Sequence, residues 1–194
     1  MLPVTIVYFC YGWTLWLYLN WLPLFFLNEY NAGHHEARRS TPRRSSWPAW
    51  AATTSAGWSA IESCERTGDL RKARRNVVMV GFLGAFVCLL PMFLTHDLTL
   101  IIAGAWRARS SSPEMVIGPM WAIPMDIAPK YSGTASGLMN TGSAAGRDPV
   151  AAGVPATSSD VTGNWHLPFA GSLALLLTGA LLALTMRPER QFVG

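Results

Sequence analysis

Long uncharged apolar runs alternate along the chain with short stretches of charged or small residues. Val4–Leu27 carries no Asp, Glu, Lys or Arg, and neither does Val77–Leu94 or Leu167–Met186. At about 1.5 Å per helical residue, each run is long enough to cross a hydrocarbon core of about 30 Å. A water-soluble bundle could hide one such helix, but three of them in 194 residues would leave no polar faces for solvent. The pattern therefore predicts an all-α membrane protein. A cleaved leader at Met1–Leu27 is not expected, because such leaders open on a basic residue and have a shorter apolar centre. Here Trp13, Trp16 and Trp21 stud the run and no basic residue precedes it. The first span, residues 4–27, ends in Asn28, Glu29 and Tyr30, and Pro23 should bend its last turn.

The stretch Glu65–Arg75, E-R-T-G-D-L-R-K-A-R-R, reads as a turn carrying five basic residues just before the second run. An excess of Lys and Arg marks the cytoplasmic side of a membrane, so this turn is placed inside. Residues 77–94 then cross outward, His96 and Asp97 turn the chain, and a span over 98–125 returns. That span is interrupted at Arg107–Pro113 and contains Pro119 and Pro124. The loop A-P-K-Y-S-G, Ala128–Gly133, leads into a truncated helix of small residues over 132–145. Gly133 and Gly137 are four apart, as are Gly142 and Gly146, a spacing that lets backbones approach on one face. The plainer account is that glycine is common in membrane helices. The last span, 167–186, stops at Arg187, Pro188, Glu189 and Arg190. Counting crossings from Arg71–Arg75 puts Lys130 and the C-terminus on the inner side too, as expected of a multi-pass protein of the cell's inner (plasma) membrane.

Three windows break the pattern. From Gly33 to Ala60 there is no Leu, Ile, Val, Met or Phe. The distance from Leu27 to Val77 nevertheless matches an outer loop, a helix of about 20 residues and an inner loop. An aberrant polar segment, 33–63, thus stands where a helix belongs, and Arg107–Pro113 and Gly146–Asp160 interrupt two further spans. All three windows are rich in residues with GC-rich codons. They read as segments translated out of frame, with the frame restored near Glu65, Glu114 and Val161. Genuine extramembrane loops would explain the polarity but not the preserved spacing. Arg38, Arg39, Arg43 and Arg44 would also sit outside, against the charge rule. Adjacent His34 and His35 point apart on regular structure and have no acidic or thiol partner at ligand spacing, so no metal site is expected.

Composition agrees with the pattern: 51% of residues are hydrophobic and 13% charged, with a mean hydropathy of +0.24. The net charge of +4 comes from basic residues beside apolar runs, which fits membrane orientation and not nucleic-acid binding. Cys10, Cys64 and Cys88 lie far apart, without C-x-x-C spacing, and read as packing residues. No nucleophile with a nearby base, phosphate loop or pair of catalytic carboxylates is present, so neither an enzyme nor a cofactor is expected.

Several blocks carry a family likeness. Y-F-C-Y-G-W-T-L-W-L-Y-L-N-W-L-P at Tyr8–Pro23, R-T-G-D at Arg66–Asp69, W-A-I-P-M-D-I-A-P-K-Y-S-G-T-A-S-G-L-M-N at Trp121–Asn140 and T-G-N-W at Thr162–Trp165 resemble the anion:cation symporter family of the major facilitator superfamily. The resemblance covers about two thirds of the chain. It implies a partial C-terminal six-helix half with disrupted helices, in which the spans match helices seven, nine, ten, eleven and twelve of a twelve-helix transporter. It also implies transport of organic anions such as sugar acids, usually with protons. The missing N-terminal half supplies, in that family, most of the charged residues that bind the anion and carry the proton.

Transport in such a fold needs two halves that rock about a site near the membrane midplane. Polar groups at membrane depth are functional candidates by default. Tyr11, Asn20, Trp121, Asn140, Thr141 and Ser143 are the substrate-binding candidates, and interhelix hydrogen bonding is the alternative role for each. At the inner loops Asp69, Arg71, Arg74, Asp126 and Lys130 are gating candidates, with Asp126 able to cap the next helix or to pair with the preceding basic loop. The expected partners are the lipid bilayer and, in the full-length form, a small organic anion and a proton. The other reading is a small multi-span membrane interaction or assembly protein without transport activity.

Overall fold

The computed structural model describes residues 1–29, 58, 68–95, 97, 100, 101, 103, 104, 112–151, 153, 157 and 160–186. Among these the protein is an all-α membrane protein built from helices α1 (Leu2–Glu29), α2 (Leu70–Leu89), α3 (Pro91–Leu94), α4 (Ser112–Ile127), α5 (Ser132–Ala151) and α6 (His166–Ala183). A single 3-10 turn, Pro129–Tyr131, joins α4 to α5. Among the described residues three segments are long and apolar enough to span a membrane, Leu2–Asn28, Arg74–Leu94 and His166–Ala183, and Val116–Ile127 is a shorter apolar helix. The polar segment 33–63 lies outside the described residues apart from Trp58, as do residues 107–111 of the second polar window.

The basic stretch before the second span is helical from Leu70, not a turn as its charges suggested. Lys and Arg are good helix formers, and Asp69 supplies the start signal. Its carboxylate accepts from the Lys72 backbone N–H at 3.0 Å and pairs with the Lys72 ammonium at 3.2 Å. That cap satisfies an otherwise orphaned donor and offsets the cost of cations at the positive end of a helix dipole. Gly68, at φ 62° in the left-handed region, turns the chain into the cap.

The helices close into a ring in which α1 packs on α5 and α6, α6 on α2, α2 on α4, and α4 on α5. Side-chain pairings fix the directions. Trp21 meets Val150 and Thr5 faces Gly142, so α1 and α5 run parallel. Tyr18 meets Ser172 and Phe25 meets His166, so α6 runs against α1. Phe93 also meets His166 while Phe82 faces Gly179, and Arg74 meets Asp126, so α2 runs against both α6 and α4. One end of the bundle thus gathers the starts of α1, α2 and α5 with the ends of α4 and α6. Lys72, Arg74, Arg75 and Lys130 all lie at this basic end. Glu29 and Asp69 consequently stand at opposite ends of the bundle.

Two apolar clusters fill the ring. The first, toward the basic end, holds Val7, Phe82, Met120, Ile123, Met139 and Leu176. The second, at the far end, is aromatic: Phe25, Phe26 and Phe169 pack with Leu17, Met92, Ile101 and Val150. Phe25 makes edge contacts to both Phe169 and His166.

The tightest seam lies between α1 and α5. A Cβ on Gly142 would run into the Thr5 carbonyl, and one on Gly146 would stand 2.6 Å from the Trp13 backbone nitrogen. On the other side of the seam, a Cβ on Gly12 would lie 2.6 Å from the Ser143 carbonyl oxygen. Gly133 and Gly137, by contrast, face open space. The two glycine pairs that looked equivalent in sequence are therefore not: only Gly142 and Gly146 permit close approach. Helix α5 also continues to Ala151, beyond the truncation expected at Ala145, with Pro149 inside its last turn and Val150 fully buried. The beginning of the third polar window is thus part of the bundle.

This seam predicts that Gly142→Ala and Gly146→Ala each destabilise the bundle by about 1–3 kcal/mol through overpacking. Gly137→Ala should be neutral or slightly stabilising, since nothing opposes its Cβ and alanine favours helix. Thermal unfolding in detergent micelles, followed by circular dichroism, checks both. Equal midpoints for all three variants would contradict the seam.

Candidate functional site

Tyr8 and Tyr11 stand one helical turn apart on the buried face of α1, and their rings stack at 5.1 Å with an interplanar angle of 14°. On α4, between Pro119 and Pro124, Trp121 donates its indole N–H to the Tyr8 hydroxyl at 3.1 Å. Proline rings remove two backbone donors from this helix. Pairs of this kind hold helices together in a membrane, where hydrogen bonds and close packing replace the hydrophobic drive. Trp121 is 38% exposed, whereas Tyr8 and Tyr11 are each 5% exposed. The indole therefore forms the rim of the cluster and the two phenols its floor.

Tyr11 also lines a small void between α1, α2, α4 and α6, together with Thr14, Phe82, Val116 and Leu176. The void measures about 10 Å³, room for about one water. It is too small for an organic anion in this conformation. Thr14 returns its hydroxyl to the Cys10 carbonyl at 2.9 Å, so it offers no free donor there.

The other substrate candidates do not join this cluster. Asn20 is exposed and its amide donates to the Trp16 carbonyl of its own helix at 3.0 Å. Asn140 and Thr141 are exposed on the outer face of α5, with the Thr141 hydroxyl bonded back to the Leu138 carbonyl at 2.6 Å. Ser143 is half-buried at the α1 seam opposite Gly12. The structure thus brings Tyr11 and Trp121 together through Tyr8, and leaves the four others on separate faces. Tyr8 was not among the sequence candidates. The Y-x-x-Y spacing at Tyr8 and Tyr11, which puts two hydroxyls on one helix face, was the available signal.

The gating candidates divide similarly. Arg74 Nε lies 3.2 Å from Asp126 Oδ2, and their side chains are only 17% and 21% exposed. The pair ties the start of α2 to the end of α4, one of the two roles read for Asp126 in the sequence. Asp69 is the α2 cap described above. Lys130 is exposed on the 3-10 turn, and the side chain of Arg71 lies outside the described residues. Arg75, next to the ion pair, keeps a buried Nε without a hydrogen-bond partner. Among the described residues no group of three or more His, Cys, Asp or Glu could hold a metal ion.

No known family profile matches the chain. Over 190 residues, 95% of the chain, it is 37% identical to the probable sulfoacetate transporter SauU of Cupriavidus necator. Over 79 residues it is 54% identical to the putative uncharacterized protein YjhE of Escherichia coli K12, covering 93% of that protein and 40% of this chain. The ascorbate transporter of Arabidopsis thaliana chloroplasts is 26% identical over 91% of the chain. The chain spans 42% of the length of the sulfoacetate transporter and 32% of the ascorbate transporter. The Cupriavidus and Arabidopsis relatives are named as transporters and not as enzymes.

The half-buried ion pair predicts a coupling between Arg74 and Asp126 of about 1–2 kcal/mol, more than an exposed pair contributes and less than a fully buried one. A double-mutant cycle of Arg74→Gln and Asp126→Asn, read by unfolding in micelles, measures it. Additive effects of the two substitutions would show that the contact contributes nothing.

Proposed function

Because the chain belongs to a family of membrane transporters, we propose that it is the second, six-helix half of a major facilitator of the anion:cation symporter type. It would move a small organic anion together with protons across the plasma membrane once a first half is present. The observation that carries the reading is the match to a sulfoacetate transporter along 95% of the chain. Sulfoacetate bears a carboxylate and a sulfonate on two carbons, so the substrate class is a compact anion whose oxygens seek hydrogen-bond donors.

In this reading Tyr11 and Trp121 line one wall of the substrate path. Asn20, Asn140 and Thr141, exposed in the isolated bundle, face the missing half or the cavity between halves. Ser143 positions α5 against α1. The Arg74–Asp126 pair acts as an inner latch, since separating α2 from α4 at the basic end breaks it, and Asp69, Arg71 and Lys130 flank the same opening. A charge pair half-shielded from water is suited to that role: strong enough to bias one state, weak enough to be released by binding energy of a few kcal/mol. The opposite placement of Glu29 and Asp69 supports segment 33–63 as the slot of one further crossing, its helix lost to a shifted reading frame.

The test is uptake of labelled sulfoacetate by vesicles in which the chain is reconstituted with the first half of its Cupriavidus relative. An inward proton gradient should drive accumulation above that of vesicles holding either half alone, and a protonophore should abolish it. Assembled halves that accumulate no sulfoacetate would overturn the proposal.

A further inference from the structure

Tyr8 has a proton to give and, among the described residues, nowhere to give it. An indole N–H only donates, so in the 3.1 Å contact Trp121 is the donor and the Tyr8 oxygen the acceptor. The phenol proton must then point away from the indole, and no other described group takes it. The ring cannot swing to find water, because it is stacked on Tyr11 and only 5% exposed. The contact ties α1 to α4 through the acceptor side of the hydroxyl alone, and this held hydroxyl, beside a 38% exposed tryptophan at the rim of the bundle, keeps its donor for a ligand. From this geometry we infer that the Tyr8 hydroxyl donates a hydrogen bond to an anionic oxygen of the substrate, and that Trp121 is the residue that positions it.

The inference rests on the transport reading above and adds a residue and a chemistry to it. A neutral phenol donates to carboxylate and sulfonate oxygens alike, so Tyr8 recognises the oxyanion and not the carbon skeleton. Because Trp121 occupies the oxygen's acceptor side, a ligand that can only donate, such as an ammonium, finds little there. The contact therefore selects for acceptors, as an anion site requires, without placing a cation in the membrane. Tyr11, stacked beneath, holds the ring at the angle that keeps both bonds possible.

The test uses the chain assembled in lipid nanodiscs with the first half of its Cupriavidus relative, titrated with sulfoacetate, with binding read by calorimetry and the tyrosine C–O band by infrared difference spectroscopy. Wild type should bind with a shift of that band. Tyr8→Phe should lose the shift and bind about tenfold to a hundredfold more weakly, the range for a hydrogen bond to a charged group. Tyr18→Phe, whose hydroxyl bonds Ser172 in the far cluster, should behave as wild type. Trp121→Phe keeps the phenol but not its orientation, so it should weaken binding by a smaller factor and move the tyrosine band of the unliganded protein. It also serves as the deciding variant if Tyr8→Phe fails to fold, in which case unchanged binding and an unmoved band overturn the inference. Wild-type binding retained by a folded Tyr8→Phe overturns the role of Tyr8 alone and leaves the transport reading standing. Wild type that binds no sulfoacetate removes both.

Discussion

In hydrocarbon a peptide group has no water to bond, so every N–H and C=O must be satisfied inside the protein. Helices meet that demand within themselves, but their side chains then have only packing and a few hydrogen bonds with which to recognise each other. This constraint explains why the tightest contacts of the bundle are made where side chains are absent. Gly12, Gly142 and Gly146 let α1 and α5 touch backbone to backbone, and the rest of the ring is arranged around that seam. It also explains why each polar contact across helices, Trp121 to Tyr8, Tyr18 to Ser172, Trp21 to Val150 and Arg74 to Asp126, joins a different pair of elements or a different depth. Few are needed, and each fixes a relative rotation.

Much of this architecture was legible in the sequence because a membrane span announces itself by what it excludes. The first uncharged run lies within α1, the second passes through α2 and α3, and the last coincides with α6 from Leu167 to Ala183, and the link from Asp126 to the basic stretch could be anticipated because charges at the edge of a membrane need partners. The start of α2 could not: Arg71, Lys72, Arg74 and Arg75 look like a turn by charge, and only the Asp69 cap reveals a helix running through them. The end of α5 was hidden for the converse reason. Gly146, Arg147, Asp148 and Pro149 look unlike a membrane helix, yet they continue one whose burial is decided by Gly146 and Val150.

The aromatic cluster of α1 and α4 was half legible. Tyr11 and Trp121 were singled out as polar aromatics at depth, but their meeting runs through Tyr8, and contact between two helices more than a hundred residues apart leaves no trace in local spacing. Asn20, Asn140 and Thr141 were chosen by the same rule and lie elsewhere, because a lone amide or hydroxyl on a helix can always satisfy itself on the carbonyl three or four residues back. Tyrosine and tryptophan cannot do so, since their polar atoms are carried too far from their own backbone. Rigid, long-reaching polar groups are thus better pointers to interhelix sites than short ones.

The way α1 holds the last turns of α5 has a consequence for how the sequence there can change. Gly146 is recognised by the main-chain atoms of Phe9 and Trp13, and Val150 by its carbonyl oxygen, which accepts the Trp21 indole proton at 3.0 Å. None of these contacts reads the identity of residues 147–149. Arg147 lies over the Trp16 ring and pairs with Asp148 at the surface without entering the seam. An interface written in backbone atoms is blind to most of the codons beneath it. Provided that one glycine and one buried apolar residue survive, this stretch can drift, or be wholly rewritten, while the two helices stay joined.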